Sequence, residues 1–198
     1  MSTMLDVAFA ISGETIDAAY AVSLYEALAR QLQWLEQEPA AGVFSIRGLT
    51  HSAGALLIGG RTRVVLRVPA GRVADCQRLR GQCIDLPQPL RIGAVTAREL
   101  LPFPVLYARL VITGSEAEAD FLAEVQAELK AVDVDSEVIV GRRGALQIGG
   151  RSEVGYSVML HGLTPEESIL MQERGLGRHR KLGCGLFVPH KSVAAVGG

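Results

Sequence analysis

One order of elements, run through twice, restricts the fold of this chain more than any other feature. "LDVAFAIS" (5–12) alternates apolar and polar side chains, as a half-buried strand does. In "IDAAYAVSLYEALARQLQWL" the residues Ile16, Ala19, Tyr20, Leu24, Leu28, Leu32 and Leu35 recur every three or four positions, the stripe of an amphipathic helix. "GVFSIRGL" and "TRVVLRVP" read as strands around a glycine-rich connection, "THSAGALLIGG". "AGRVADCQRLRG" is a short helix and "PLRIGAVTAREL" a closing strand. After the proline-punctuated "LLPFPV" the order restarts, with "LYARLVIT" as a strand and "EAEADFLAEVQAELKAV" as a helix presenting Phe121, Leu122, Val125 and Leu129. "EVIVGRRGALQIG" and "EVGYSVMLHGL" supply two strands. Thr164, Pro165 and Glu167 then carry a helix N-terminus signature, Gly175 or Gly177 ends that helix, and "CGLFVPH" is the last strand.

Each half is thus a βαββαβ unit. The expected fold class is α+β, two tandem ferredoxin-like (RRM-like) units, each a four-stranded antiparallel sheet with two helices on one face. The domain bounds expected from the punctuation are 1–101 and 105–198. Such a fold names no function by itself. The basic-glycine-aromatic signature of ordinary RNA-recognition modules is missing, and aromatic residues make up only 5% of the chain, so base stacking does not dominate binding.

Composition narrows the class. Hydrophobic residues at 48% and charged ones at 21% describe an ordinary globular chain. No apolar run is long enough to span a bilayer, and "MSTMLDVAFAISGETID" carries acids where a signal peptide is basic, so a cytoplasmic protein without membrane partners is expected. Cys76, Cys83 and Cys184 lack paired spacing and are expected to act as small buried hydrophobes. His51, His161, His179 and His190 are scattered without ligand spacing, so neither a metal nor a small-molecule cofactor is expected. Formal net charge is only -1, but Arg142, Arg143, Arg151, Arg174, Arg178, Arg180, Lys181 and Lys191 accumulate late while acids crowd "SEAEADFLAEVQAELKAVDVDSE". A one-sided basic surface follows.

That basic end contains "GLGRHRKLGCGLF" (175–187). It is neither of the two common phosphate loops: the dinucleotide fingerprint needs glycine where Arg180 stands, and in a Walker loop Ser or Thr follows the lysine, where Leu182 follows Lys181. The stretch resembles the C-terminal glycine-rich loop of the CRISPR-associated repeat-processing endoribonucleases, the Cas-six family, with its leading Gly-x-Gly, central basic cluster and trailing Gly-x-Gly before apolar residues. More narrowly, "GYSVMLHGLTPEESILMQERGLGRHRKLGCGLFVPHK" is similar to the myxobacterial-type subgroup.

The resemblance implies a repeat-RNA hairpin as partner, with other CRISPR-associated effector subunits beside it. It also implies metal-independent cleavage in which a ribose 2′-OH attacks the adjacent phosphate and leaves a cyclic phosphate and a 5′-OH. Gly175, Gly177, Arg178, His179, Arg180, Lys181, Gly183 and Gly185 would then grip RNA phosphates, with Arg142 and Arg143 as second-site contacts. The family draws its base from a histidine after the first helix, and here "SIRGLTHSAG" contains His51. Tyr20 would orient or protonate a group at the site, although its place on the apolar stripe makes core packing the stronger reading. Arg47, Arg61 and Arg63 flank His51 as cations for the phosphorane, and the strand alternation equally makes Arg61 and Arg63 a solvent face. His179 is the second choice for the base, and His161 and His190 read as structural. Two other functions fit the same fold: a non-catalytic RNA-binding subunit of a CRISPR complex, and a ferredoxin-like domain that binds a metabolite anion.

Overall fold

The structure is a computed structural model and describes residues 2–46, 50–52 and 55–190, with the backbone alone described at 50–52. The chain divides into two compact units. The first runs to Leu100 and takes in Arg180–Gly183; the second comprises Leu101–His179 and resumes at Cys184. No helix among the described residues is long and apolar enough to cross a membrane.

In the first unit, strand β1 (Met4–Ser12) buries Val7, Phe9 and Ile11 through the alternation seen in the sequence. Then follow β2 (Thr15–Asp17), α1 (Ala21–Gln31), α2 (Trp34–Gln37), β3 (Gly42–Val43), β4 (Thr50–Ser52), β5 (Ala55–Leu57) and β6 (Arg63–Pro69). A turn at Ala70–Arg72 leads into α3 (Val73–Gln77), β7 (Cys83–Ile84) and β8 (Leu90–Glu99). The main sheet has the order β3-β6-β1-β8-β7, antiparallel throughout. Its strands β3, β6, β1 and β8 are the second, third, first and fourth of a βαββαβ unit, the ferredoxin-like arrangement.

The expected first helix is shorter than its stripe. Ile16 is buried from strand β2, not from a helix, and Asp17 Oδ1 accepts the Ala19 N–H at 2.6 Å in the turn that precedes α1. At the other end the helix breaks at Leu32, and α2 carries Leu35 into the same core. The glycine-rich connection is itself a hairpin: β4 and β5 pair, and β5 pairs in turn with β2, making a separate three-stranded sheet. Arg61, in the turn before β6, and Arg63, at the start of the strand, are exposed, but Arg67 is 0% exposed. Its cross-strand neighbour Asp6 receives two hydrogen bonds from it, at 2.7 and 2.8 Å, which compensates a buried guanidinium.

The second unit runs β9 (Val105–Val111), α4 (Glu118–Lys130), β10 (Glu137–Ile148), β11 (Arg151–His161), α5 (Pro165–Arg174) and β12 (Val188–Pro189). The order β10-β11-β9-β12 is again second, third, first and fourth. Phe121, Val125 and Leu129 of α4 and Met171 of α5 pack with Leu106, Val158 and Leu160 of the sheet. The last strand is shorter than expected, because Cys184–Phe187 are buried in the loop before it. The cysteines divide: Cys76 and Cys184 are buried, whereas Cys83 is exposed, since it lies on the short edge strand β7.

Helix α5 begins with the expected capping box. The Thr164 hydroxyl accepts the Glu167 N–H, and Glu167 Oε2 accepts the Thr164 N–H at 2.8 Å. Glu167 Oε1 also accepts the Asp135 N–H at 3.0 Å. The backbone amides of Thr164 and Asp135, followed by the Thr164 hydroxyl, hold the Glu167 carboxyl below its ordinary value. Because its folded value is the lower one, the stabilisation is complete above the ordinary glutamate range and is lost as pH falls through the lowered value. We therefore expect Glu167→Gln to melt earlier than the wild type at neutral pH and to lose less stability on acidification. Equal melting temperatures for the two proteins across that pH range would refute the assignment.

Candidate nucleic-acid interface

The glycine-rich stretch is a built loop. Its start is tied into the second unit: Gly175 N–H donates to Met171 O, Arg178 N–H to Ile112 O and Gly185 N–H to Leu110 O, at 2.8 to 2.9 Å. Glu128 on α4 accepts the Gly177 N–H at 3.0 Å, and Leu176 N–H donates to Gly185 O at 3.2 Å. Two glycines have no substitute here. At Gly177 (φ 68°) a Cβ would lie 2.3 Å from Ile112 O, and at Gly185 (φ 67°) it would lie 1.9 Å from Leu176 O. These glycines answer first to backbone carbonyls packed against them, Ile112 just past β9 for Gly177 and Leu176 within the loop for Gly185.

The basic side chains of the loop are held by protein groups. Glu153 on β11 places Oε2 at 2.8 Å from His179 Nε2 and 3.5 Å from Arg178 Nε. His179 adopts φ 63°, a left-handed conformation uncommon outside glycine, and its carbonyl accepts the Cys184 N–H. Arg178 remains 52% exposed along its side chain. In the first unit, Arg180–Leu182 forms a single tight turn, with Nε and Nη2 of Arg180 shielded from solvent. There Lys181 Nζ donates to Glu36 O at 2.6 Å, and Gly183 packs on Ser45. The neighbouring Cys184 thiol is pushed up to about 12, by burial first and then by the Glu153 charge, and so stays protonated.

Arg142 and Arg143 sit at an irregularity in the β10–β11 pairing, and both are exposed. The Arg142 N–H donates to Ser157 Oγ at 2.9 Å, which fixes the backbone there. The Arg143 guanidinium pairs with Glu116 at 3.1 Å.

In the first unit, His51 stands on β4 with Leu56 of β5 as its cross-strand partner, and its side chain lies outside the described residues, as does Arg47. Beside β2 and β5 of that sheet is a cavity of about 260 Å³ lined by Ile16, Asp17, Ser23, Ala55, Leu86 and Gln88. Tyr20 packs on the first core, and its hydroxyl accepts the Ile46 N–H at 2.7 Å. It thereby holds the chain shortly before the segment that carries His51. His161 ends β11, and the exposed His190 ring lies 5.7 Å from Tyr107. Among the described residues no three His, Cys, Asp or Glu side chains gather as a metal ligand set.

Sequence reasoning missed Glu153 and Glu128. The available signal was Glu153 itself, the one acid in the sequence between Glu137 and Glu166.

A family model described as Cas6 Crispr matches residues 5–192. The CRISPR-associated endonuclease Cas6 of Myxococcus xanthus (strain DK1622) is 35% identical over 198 residues, covering 99% of this chain and 86% of that protein. Among solved structures, the product of a Cas6-related gene from Pyrococcus furiosus superposes with a TM-score of 0.66 at 12% identity, covering 93% of this chain and 98% of the other. Thermus thermophilus Cse3, bound to an RNA representing a pre-cleavage complex, gives a TM-score of 0.53 at 10% identity over 94% of this chain and 98% of that one. At such identities the two structures speak for the shared fold. The match along almost the whole sequence decides the family: this chain belongs to the Cas6 family of CRISPR-associated endoribonucleases.

Proposed function

We propose that the chain binds CRISPR repeat RNA and cuts precursor transcripts into guide RNAs by metal-independent attack of a ribose 2′-OH on the adjacent phosphate. The observation that carries this reading is the glycine-rich basic loop, rigidly stapled by backbone hydrogen bonds and keeping Arg178 exposed, in a member of an endoribonuclease family. Arg178, with Arg142 and Arg143 on β10, supplies charge-assisted donors for phosphates. His51 removes the 2′ proton. The nucleophilic oxygen then forms a new bond to phosphorus as the bond to the 5′ oxygen breaks; that oxygen takes a proton, leaving a cyclic phosphate and a 5′-OH. Tyr20 acts through its hydrogen bond to Ile46 by setting the backbone that leads to His51. The proposed domain bounds are 1–101 and 105–198, and the proposed place of action is the cytoplasm, where effector subunits take up the product.

The test is incubation of the purified chain with repeat RNA in excess chelator. Cleavage at an unchanged rate is expected, and a substrate with hydrogen in place of the 2′-OH at the scissile position should stay intact because its nucleophile is gone. Cutting of that deoxy substrate, or arrest by chelator, would overturn the mechanism. RNA bound tightly but never cut would make the chain a non-catalytic subunit.

A further inference from the structure

We propose that Glu153 is a positioning residue for RNA recognition, which acts by fixing the His179 imidazole. The inference rests on the RNA-binding reading above. A carboxylate within the basic loop's reach repels a polyanion, so its presence there opposes the loop's task unless it does something for its neighbours. What it does is geometric. Its Oε2 lies 2.8 Å from His179 Nε2, and the ring is mostly enclosed, with 25% of its side chain exposed. The Arg178 contact to the same oxygen is longer, at 3.5 Å, and that side chain is more exposed. Glu153 therefore fixes the histidine and only tethers the arginine, which can leave for a phosphate.

The backbone supports the same division. His179 has φ 63°, a left-handed conformation in which a side chain crowds its own backbone. The strain is held by the Cys184 N–H on the His179 carbonyl and by Glu153 on the ring. With Nε2 engaged, Nδ1 is the nitrogen that Glu153 leaves to the RNA. Register supplies the partner: Glu153 pairs with Leu146 on the β10–β11 ladder, which fixes the strand that bears the carboxylate.

The experiment compares binding of a repeat-RNA hairpin by the wild type, Glu153→Ala, Glu153→Gln, His179→Ala and the double variant Glu153→Ala/His179→Ala, with melting temperatures and imidazole ¹H–¹⁵N spectra for each. Losing an oriented hydrogen-bonding contact should weaken binding about tenfold in either alanine single variant. The double variant should bind no worse than His179→Ala, since both substitutions remove one coupled unit. Glu153→Gln keeps an acceptor oxygen and should bind more tightly than Glu153→Ala. In the spectra the wild type should show a hydrogen-bonded, slowly exchanging Nε2–H, and Glu153→Ala should lose that protection. The proposal is overturned if Glu153→Ala binds as tightly as the wild type or tighter, if the two losses multiply, or if glutamine does no better than alanine. A wild type that ignores repeat RNA overturns the functional reading as well, which separates that failure from the failure of Glu153 alone.

Discussion

His51→Ala is expected to slow single-turnover cleavage of repeat RNA by about 100- to 10,000-fold, the usual cost of losing a general base or acid. Hairpin binding should persist, because the contacts proposed for phosphates lie on other elements. The expectation starts from a histidine whose ordinary titration range suits proton transfer near neutrality. It stands on a short hairpin strand with Leu56 as partner, downstream of the Ile46 amide that Tyr20 holds. Rates under enzyme excess, measured beside binding isotherms, separate chemistry from affinity. A His51→Ala protein that cuts at the wild-type rate would pass the role to His179, and wild-type rates in both alanine variants would end histidine-based catalysis for this chain.

Replacing Arg178, Arg180 and Lys181 together with alanine should give the largest loss of RNA affinity. Each phosphate contact given up should lower the slope of log affinity against log salt by roughly 0.7 to 0.9. The structure adds a consequence that charge alone does not. Lys181 donates to the Glu36 carbonyl, and Arg180 is shielded at Nε and Nη2, so the triple variant should also melt earlier than the wild type. Arg178→Ala alone, at a half-exposed side chain, should lower the salt slope by about one contact with little change in melting temperature. Affinity and salt slope unchanged in the triple variant would remove the loop from RNA binding.

Local chemistry was legible wherever one element's own residues carried the signal. The Thr164, Pro165 and Glu167 spacing specified a helix start, and the structure has the full capping box there. Alternation along 5–12 and the three- and four-residue stripe of α4 gave strand and helix with the right faces inward. The stripe misled at Ile16. Its spacing matches the helix, but its partners are on β5, some forty residues later, and pairing with that strand decides its conformation. The hairpin of β4 and β5 was hidden for the same reason.

At the candidate site, the sequence alone determined the family likeness, the place of the basic cluster and the identity of His51 and Arg178 as candidates. Only the tertiary structure decided what the glycines and charges are doing. Gly177 and Gly185 are required by the carbonyls of Ile112 and Leu176, and the first of these lies far away in sequence. Glu153 meets His179 across a separation of 26 residues, and Asp6 meets Arg67 across 61. Periodicity and capping act within a few residues and are written in local order. The contacts that hold a loop or neutralise a buried charge form between segments that folding brings together, and a linear reading carries no distance between them.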